Sequence, residues 1–204
     1  MDAVVPFDAE SPKTRLSALL DADQRRDFAT AMCRDVLAAV RAAGGDPELL
    51  ATADPGLDAP VTVDDRPLTE AVNDRLADHG PPVAVVMADL ALATPEALSR
   101  LFGADGRVVL VPGRGGGTNA FLTRHPEFRV DYHGGSIRDH RRGAADLGVT
   151  PTELDSFRLG TDVDEPADLV EVLLHTDGHA AEWLRTSGFD VRTVDGRLEL
   201  DTPD

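Results

Sequence analysis

Residues 83–89 read VAVVMAD, an apolar run that ends in a carboxylate. Six apolar residues without a polar interruption are typical of a strand in the middle of a sheet, covered on both faces. The run is too short to cross a bilayer, which takes about 20 apolar residues. We therefore expect a central strand over residues 83–87, with Asp89 at its carboxyl end.

Strand and helix patterns alternate along the chain, separated by glycines and prolines. This alternation predicts an α/β fold with a mostly parallel sheet and helices on both faces, and we expect one domain over residues 1–204. The expected strands cover residues 2–7, 48–53, 83–87, 107–111 and 128–132, with a terminal strand or hairpin over 189–200. The expected helices cover residues 17–43, 68–79, 95–102, 136–147, 166–175 and 179–187.

Lys13 is the only lysine in the chain, so the other 19 of its 20 lysine and arginine residues are arginine. An ammonium is a compact point charge and a guanidinium is a planar fork, so the two are not interchangeable. Lys13 follows the first expected strand and precedes a long helical pattern, where α/β enzymes place a phosphate-binding lysine. The alternative is that the last lysine stands there by chance.

The chain is strongly acidic, with 37 Asp and Glu against 20 Lys and Arg and a net charge of −17. The 27 aspartates are spread along the chain rather than gathered in a tail. Abundant aspartate, an arginine bias and few aromatic residues are typical of a protein adapted to a salt-rich cytoplasm. Because nucleic acids bind to cationic surfaces, we expect no nucleic-acid partner.

The single cysteine and the short apolar runs limit where the protein is located and which disulfide or zinc sites it can form. Cys33 stands alone, which excludes an internal disulfide and a cysteine zinc cluster, and we expect it in the core. The N-terminus lacks the apolar region of a signal peptide, and no stretch is long enough to span a bilayer. We expect a soluble, cytoplasmic protein with no membrane partner.

Carboxylates stand at two places where a metal could bind. Asp89 follows the central strand, at the edge where open α/β sheets bind ligands, and Mg²⁺ takes one or two carboxylates plus substrate phosphates. Asp162 and Asp164 are two residues apart, so in an extended backbone they point to one face and could share a metal with Asp89. The alternatives are a loop or helix cap at Asp89 and a helix cap ahead of Pro166.

A glycine-rich segment, residues 112–119, follows the strand expected over 107–111. Consecutive glycines let the backbone approach an anion and expose N–H groups to it. Arg114 adds a fork for phosphate or carboxylate, and Thr118 and Asn119 add side-chain donors. The segment lacks the Gly-Lys-Ser/Thr of a P-loop, and the alternative to an anion site is a flexible hairpin.

A second anion site is expected in the segment YHGGS, residues 132–136, where a strand turns into a helix. Ser136 is a natural N-cap, and free N–H groups in the first helical turn attract anions. Arg138 and His140 either reinforce this site or belong to the solvated surface.

In their order and spacing, these segments resemble the 2-phospho-L-lactate guanylyltransferase family, which acts in the biosynthesis of the deazaflavin coenzyme F-420 in archaea and actinobacteria. The resemblance covers nearly the whole chain. The matching segments are VPF (5–7), KTRLS (13–17), VMADL (86–90), GGGTN (115–119), Ser136 with His140, and DVDEPADL (162–169).

The resemblance implies a Rossmann-like nucleotidyltransferase fold and a reaction of GTP with (2S)-2-phospholactate to give lactyl-2-diphospho-5'-guanosine and pyrophosphate. The implied Mg²⁺ ligands are Asp89, Asp162 and Asp164. The expected nucleotide-binding residues are Lys13, Thr14 and Arg15, of which Lys13 and Arg15, with Asp89, are the expected catalytic residues. The implied acceptor-binding residues are Arg114, Gly116, Gly117, Thr118, Asn119, Gly134, Gly135 and Ser136.

One position departs from the family pattern. The expected turn has an aromatic residue, a glycine, any residue, a glycine and a serine, but His133 stands at the first glycine position. Gly135 and Ser136 match the pattern. His133 either adds a contact to the acceptor pocket or alters its shape.

Other interpretations stay open at this point. The acceptor could be phosphoenolpyruvate or 3-phosphoglycerate, and no residue by its spacing selects guanine. A sugar or other nucleotide transferase would share the fold without needing the segment at residues 13–15, and a nucleotide-binding module would not need three carboxylates. We expect the product to pass to the next enzyme of the pathway; the oligomeric state is open, a homodimer being one option.

Overall fold

A seven-stranded sheet forms the centre of the computed structural model, which describes residues 1–203. The strands are β1 Asp2–Phe7, β2 Asp46–Ala51, β3 Val61–Val63, β4 Val83–Val86, β5 Val108–Pro112, β6 Thr118–Thr123 and β7 Thr152–Glu153. Their spatial order is β3-β2-β1-β4-β6-β5-β7. Neighbouring strands are parallel except β6, which is antiparallel to both β4 and β5. The expected mostly parallel sheet is confirmed.

Helices cover both faces of the sheet, as expected. They are α1 Ala22–Ala42, α2 Leu68–His79, α3 Pro95–Gly103, α4 Ser136–Asp146, α5 Phe157–Gly160, α6 Asp168–His175 and α7 His179–Thr186. Val5 and Val109 belong to a core shared with α1, α3, α6 and α7, whereas Val4 and Leu110 belong to a second core with α2 and α4. Neighbouring strand residues therefore face opposite cores, as the period of a strand requires.

The run at residues 83–87 forms the expected central strand, β4. The strand itself is Val83–Val86, whose residues are each at most 1% exposed, and Met87 beyond it is partly buried. Full burial of one valine side chain contributes about 1.5–3 kcal/mol relative to exposure, so apolar residues are favoured throughout the strand. The first polar side chain after β4 is that of Asp89, where the chain has left the sheet.

The first long helix begins later than expected. The prediction covered residues 17–43, but α1 begins after Asp21, which forms a capping box with Gln24. A separate short 3₁₀ turn, Thr14–Leu16, precedes it. A capping box satisfies backbone N–H groups that a helix start leaves unpaired, which explains the boundary.

The remaining expected elements, other than the strand at 128–132, are present with ends that shift by a few residues. The helix expected over 68–79 has the expected ends. The terminal hairpin is confirmed as β8 Asp190–Val194 and β9 Arg197–Asp201, a separate two-stranded sheet. The elements β3, β6, β7 and α5 were not predicted, because they are short or directly follow glycines.

The prediction of a strand over residues 128–132 is wrong, because these residues do not pair with the sheet. Backbone groups of this segment bond to side chains rather than to another strand. Asn73 of α2 accepts a hydrogen bond from the Val130 N–H at 2.8 Å and donates one to the Val130 carbonyl at 3.0 Å. The N–H groups of Asp131 and Tyr132 donate to side chains of α4 and α2. The sheet instead contains β6, which begins within the glycine-rich segment 112–119 and was not predicted as a strand.

The expected position of Cys33 in the core is confirmed. Cys33 is fully buried on α1, and burial raises the pKa of its thiol to about 12. Among residues 1–203, no helix is both long and apolar enough to cross a membrane.

Replacing Asn73 by Leu should destabilise the fold. Leucine has the same branched shape but leaves the Val130 N–H and carbonyl without a side-chain partner, at about 1–3 kcal/mol for each group. We expect urea unfolding in concentrated salt to show a loss of about 2–6 kcal/mol in the free energy of unfolding. Asn73→Asp, which keeps the acceptor for the Val130 N–H, should lose less. Unchanged stability of Asn73→Leu would mean that these two hydrogen bonds do not hold the segment.

Candidate active site

The ammonium of Lys13 lies between two carboxylates, beyond the ends of β1 and β4. Its Nζ donates to Asp89 Oδ2 at 2.7 Å and to Asp164 Oδ1 at 2.9 Å. The Lys13 side chain is 9% exposed, whereas those of Asp89 and Asp164 are 23% and 35% exposed. Segments after β1, after β4 and ahead of α6 therefore meet at one nearly enclosed cation.

The charges at this junction stabilise one another. Burial lowers the pKa of Lys13, but Asp89 and Asp164 outweigh burial and raise that pKa above its usual value. Burial likewise raises the pKa of Asp164, but Lys13 and Arg15 outweigh it and the net pKa is lowered. Lys13 and Asp164 are therefore both charged at neutral pH, and Lys13 is not a solvated surface lysine.

The backbone at Lys13 is left-handed, with φ 54° and ψ 43°. The loop before it is shaped by Asp8, whose Oδ1 accepts from the N–H groups of Glu10 and Ser11. The 3₁₀ turn Thr14–Leu16 follows directly. A left-handed residue with a Cβ costs about 1–3 kcal/mol, and such residues cluster at active sites and switch regions.

Thr14 and Arg15 lie next to Lys13 and are exposed to solvent. Arg15 Nη1 donates to Asp164 Oδ2 at 2.8 Å, although the arginine side chain is 67% exposed. Thr14 is exposed on the same turn. The three expected nucleotide-binding residues are thus adjacent, with Lys13 and Arg15 paired to one carboxylate.

The three carboxylates expected to share a metal lie in two groups. Lys13 joins Asp89 and Asp164, whereas Asp162 Oδ1 accepts from Asn119 Nδ2 at 3.1 Å. Within residues 1–203, no three carboxylate, imidazole or thiol groups form a ready-made metal site. Asp89 Oδ1 is nevertheless buried, and no group within residues 1–203 forms a hydrogen bond with it. An unpaired buried carboxylate oxygen fits a hard divalent cation.

Thr118 at the start of β6 and Ser136 at the start of α4 form a second polar group. The Thr118 N–H donates to Ser136 Oγ at 3.0 Å, and both residues are 3% exposed. The Ile137 N–H donates to the Gly116 carbonyl at 3.3 Å and so fixes the glycine-rich segment to the start of α4. The two segments expected to bind anions therefore lie together.

The start of α4 does not present free N–H groups, contrary to expectation. The prediction of Ser136 as the N-cap is wrong, because Gly135 holds that position. The next three N–H groups, those of Ser136, Ile137 and Arg138, donate to the carbonyl oxygens of Gly134, Gly116 and Gly135. Within the first turn of α4, side chains such as that of Ser136 are therefore the donors available to an anion.

Three glycines of these segments are needed for geometric reasons. Gly116 and Gly134 have φ values of 83° and 59°, where glycine is favoured. At Gly113 a Cβ would lie 2.2 Å from Asn119 Oδ1. The Gly113 N–H donates to the Gly117 carbonyl at 2.9 Å, so the segment forms the hydrogen-bonded turn of a hairpin between β5 and β6.

Arg114 and His133 pair with acidic neighbours. Arg114 Nη2 bonds to Asp168 at the start of α6, and the arginine side chain is 52% exposed. His133 is 81% exposed, and its Nδ1 bonds to Asp131, which raises the pKa of His133. Arg114 thus ties the glycine-rich turn to α6, and His133 lies at the surface.

A cavity of about 320 Å³ opens beside Lys13 and Asp89. Apolar side chains such as Met32 line it, together with the ion pair of Asp64 and Arg66. Sequence reasoning missed this pair because β3 was not predicted. The signal that could have found it is a polar pair directly after a short β-branched run.

Residues 1–201 match the family model described as guanylyl transferase CofC like. The chain is similar to two proteins named 2-phospho-L-lactate guanylyltransferase. The one from Halomicrobium mukohataei is 64% identical over 203 residues, covering 100% of both chains. The one from Haloferax volcanii is 62% identical over 200 residues, covering 98% of this chain and 97% of the relative. The hosts of such relatives are halophilic, which agrees with the composition.

Solved structures share the fold at low sequence identity. A nucleotidyl transferase from Methanothermobacter thermautotroptrophicus has a TM-score of 0.63 and 18% identity, covering 91% of this chain and 98% of that one. A structure from Desulfovibrio desulfuricans, described as a nucleotide-diphospho-sugar transferase, has a TM-score of 0.72 and 15% identity, covering 91% of this chain and 94% of that one. These similarities confirm the nucleotidyltransferase fold.

Nucleotidyltransferases generally use a divalent metal ion, which agrees with the unpaired oxygen of Asp89. The family match extends over nearly the whole chain, and the relatives are identical at more than half of the aligned positions. The chain is therefore a nucleotidyltransferase and belongs to the family of guanylyl transferases described as CofC like.

Proposed function

We propose that this protein joins GTP and (2S)-2-phospholactate to give lactyl-2-diphospho-5'-guanosine and pyrophosphate, a step of coenzyme F-420 biosynthesis. Relatives at 53–64% identity are named 2-phospho-L-lactate guanylyltransferase. The structural observation that carries the proposal is the pairing of two groups at one edge of the sheet. One is the cation Lys13 with Asp89 and Asp164, and the other is the hydroxyl pair Thr118 and Ser136.

The reaction exchanges one phosphoanhydride bond for another. An oxygen of the acceptor's phosphate attacks the α-phosphorus of GTP and forms a new P–O–P bond. The bond from the α-phosphorus to the bridging oxygen of the β-phosphate breaks, and pyrophosphate leaves with the electron pair. The attacking oxygen is already anionic at neutral pH, so no general base is required. The protein must align two polyanions and offset their repulsion.

The donor nucleotide binds on the Lys13 side of the site. Lys13 and Arg15 bind the triphosphate, and Thr14 adds a hydroxyl on the same turn. The cavity of about 320 Å³ beside Lys13 holds the base and ribose. The 67% exposure of Arg15 supports this assignment, because its guanidinium can reach a ligand without unfolding the turn.

Mg²⁺ suits the oxygen donors of this site. Asp89, Asp162 and Asp164 would hold it, and the unpaired Oδ1 of Asp89 supports a ligand at that position. When bound, the ion would neutralise phosphate charge. Lys13 offsets the repulsion between Asp89 and Asp164 directly through its two hydrogen bonds.

The acceptor binds on the side of the glycine-rich turn. The hydroxyls of Thr118 and Ser136 donate to its anionic groups. Asn119 holds the adjoining Asp162 in place, and Arg114, half exposed at the turn, supplies a cation. The backbone that shapes this pocket comes from Gly116, Gly117, Gly134 and Gly135.

Several broader expectations stay predictions. They are a single domain over residues 1–204, a cytoplasmic location and transfer of the product to the next enzyme of the pathway. The oligomeric state stays open, with a homodimer as one option.

The proposed reaction can be tested with a matrix of GTP, ATP and CTP against phospholactate, phosphoenolpyruvate and 3-phosphoglycerate. With Mg²⁺ in concentrated salt, we expect pyrophosphate release to be fastest for GTP with phospholactate. Faster release with another acceptor would change the substrate but keep the reaction class. No release with any pair would overturn the proposal.

Lys13→Arg should lower turnover about a hundredfold or more, the scale of losing one essential charged donor. The charge is kept, but a planar fork does not fit the enclosed position between two carboxylates. Arg15→Lys is the matched control, because Arg15 is exposed and makes one ion pair, and it should lose far less. Steady-state kinetics with both substrates would measure this, and equal losses in the two variants would remove the special role of Lys13.

Thr118→Val should weaken acceptor binding and spare GTP binding. One charge-assisted hydrogen bond is worth about 1.5–3 kcal/mol, or roughly ten- to a hundredfold in apparent affinity. Thr118→Ser keeps the hydroxyl and should retain most of the affinity. Ser136→Ala should cost at least as much, since it also removes the acceptor of the Thr118 N–H. Loss of GTP binding with unchanged acceptor affinity would mean that the two pockets are exchanged.

A further inference from the structure

His140 is a buried histidine that the proposed reaction does not use. It lies on α4 and is 1% exposed. The rings of Phe121, Phe128 and Tyr132 surround it, with centroid distances of 6.2, 6.3 and 5.1 Å. A polar ring in so apolar a setting needs a partner for each of its nitrogens.

The two partners of His140 fix where its proton lies. The Asp131 N–H donates to Nε2 at 3.0 Å, so Nε2 must carry a lone pair. A neutral imidazole then has its proton on Nδ1, which lies 2.8 Å from Thr118 Oγ1. The Nδ1–H therefore donates to the Thr118 hydroxyl oxygen.

The ring is neutral under ordinary conditions. Burial lowers the pKa of His140 to about 4, although the nearby Asp131 and Asp139 act in the opposite direction. A protonated ring would also lose the bond that Nε2 accepts from the Asp131 N–H. The single tautomer therefore persists across the neutral pH range.

This tautomer determines the direction of the Thr118 hydroxyl. Because Thr118 Oγ1 accepts from His140, its own proton points elsewhere, and within residues 1–203 it meets no acceptor. Ser136 Oγ similarly accepts from the Thr118 N–H, which leaves its proton without a protein acceptor in the same part of the chain. Two neighbouring hydroxyls thus each keep a proton that no protein group within residues 1–203 accepts.

We propose that His140 is a positioning residue that holds the Thr118 hydroxyl as a donor toward the acceptor substrate. This inference rests on the proposed function, in which Thr118 contacts the phospho-acid. A pocket lined by hydroxyls that only donate selects groups that only accept, such as a carboxylate or a phosphate oxyanion. An acceptor analogue with an amide in place of the carboxylate would bring N–H groups that find no partner there.

Two substitutions separate the two bonds of His140. His140→Gln can place an acceptor near the former Nε2 and keep the Asp131 bond, but it loses the donor beside Thr118. His140→Asn can place a donor near the former Nδ1 and keep the Thr118 bond. We expect His140→Gln to raise the acceptor KM about tenfold, the scale of one hydrogen bond, with GTP KM and kcat little changed. His140→Asn should recover most of the affinity.

A double-mutant cycle distinguishes positioning from simple structural support. If His140 acts through Thr118, His140→Gln should cause no further rise in acceptor KM when Thr118 is already valine. Independent effects that multiply would overturn the proposal. Unchanged KM in His140→Gln alone would also overturn it.

The tautomer can be measured without any turnover. In the wild-type protein labelled with ¹⁵N-histidine, long-range ¹H–¹⁵N spectra should show His140 neutral and protonated on Nδ1 from pH 6 to 8. A proton on Nε2, or a charged ring, would overturn the proposal even if His140→Gln fails to fold. If instead the tautomer is as expected and the wild type releases no pyrophosphate, the proposed function fails and the hydrogen-bond arrangement stands.

Discussion

The site depends on one buried arrangement of charge, the ammonium of Lys13 against Asp89 and Asp164. Two carboxylates held this close repel each other, and partial burial strengthens the repulsion; a compact cation bonded to both removes it. The same contacts tie the loop after β1 to the end of β4 and to the segment before α6. With a net charge of −17, the chain as a whole repels phosphates, so positive charge must be concentrated where anions bind.

One strand connects the two halves of the site. Consecutive residues of a strand face opposite sides, so Thr118 faces Ser136 and α4 while Asn119 faces the other side of the sheet. There the Asn119 amide donates to Asp162 and to the Leu159 carbonyl, each at 3.1 Å. The position of β6 therefore determines the geometry of the hydroxyl pair and of the carboxylate segment together.

Local sequence patterns predicted the strands and helices that form from local periodicity and length. The buried run at 83–87 and the helix at 68–79 follow from period and length alone. The absence of a strand at 128–132 could not be predicted in this way, because it depends on hydrogen bonds with Asn73, which is more than fifty residues away in the sequence. At the candidate site, the sequence predicted roles for Lys13 and the three carboxylates but not the hydrogen bonds that they make. The sequence could not predict the proposed role of His140, because the tautomer of a histidine depends on the groups that surround it in space.

The antiparallel direction of β6 has a consequence for the length of the turn that precedes it. Parallel strands reach the binding edge of the sheet with their last residues, whereas β6 reaches it with its first, Thr118. The hydrogen-bonded turn from Gly113 to Gly117 sets the register between β5 and β6. A residue inserted or deleted in this turn would shift β6 by one position and exchange its two faces. Thr118 and Asn119 would then trade surroundings, so this turn tolerates changes of sequence far better than changes of length.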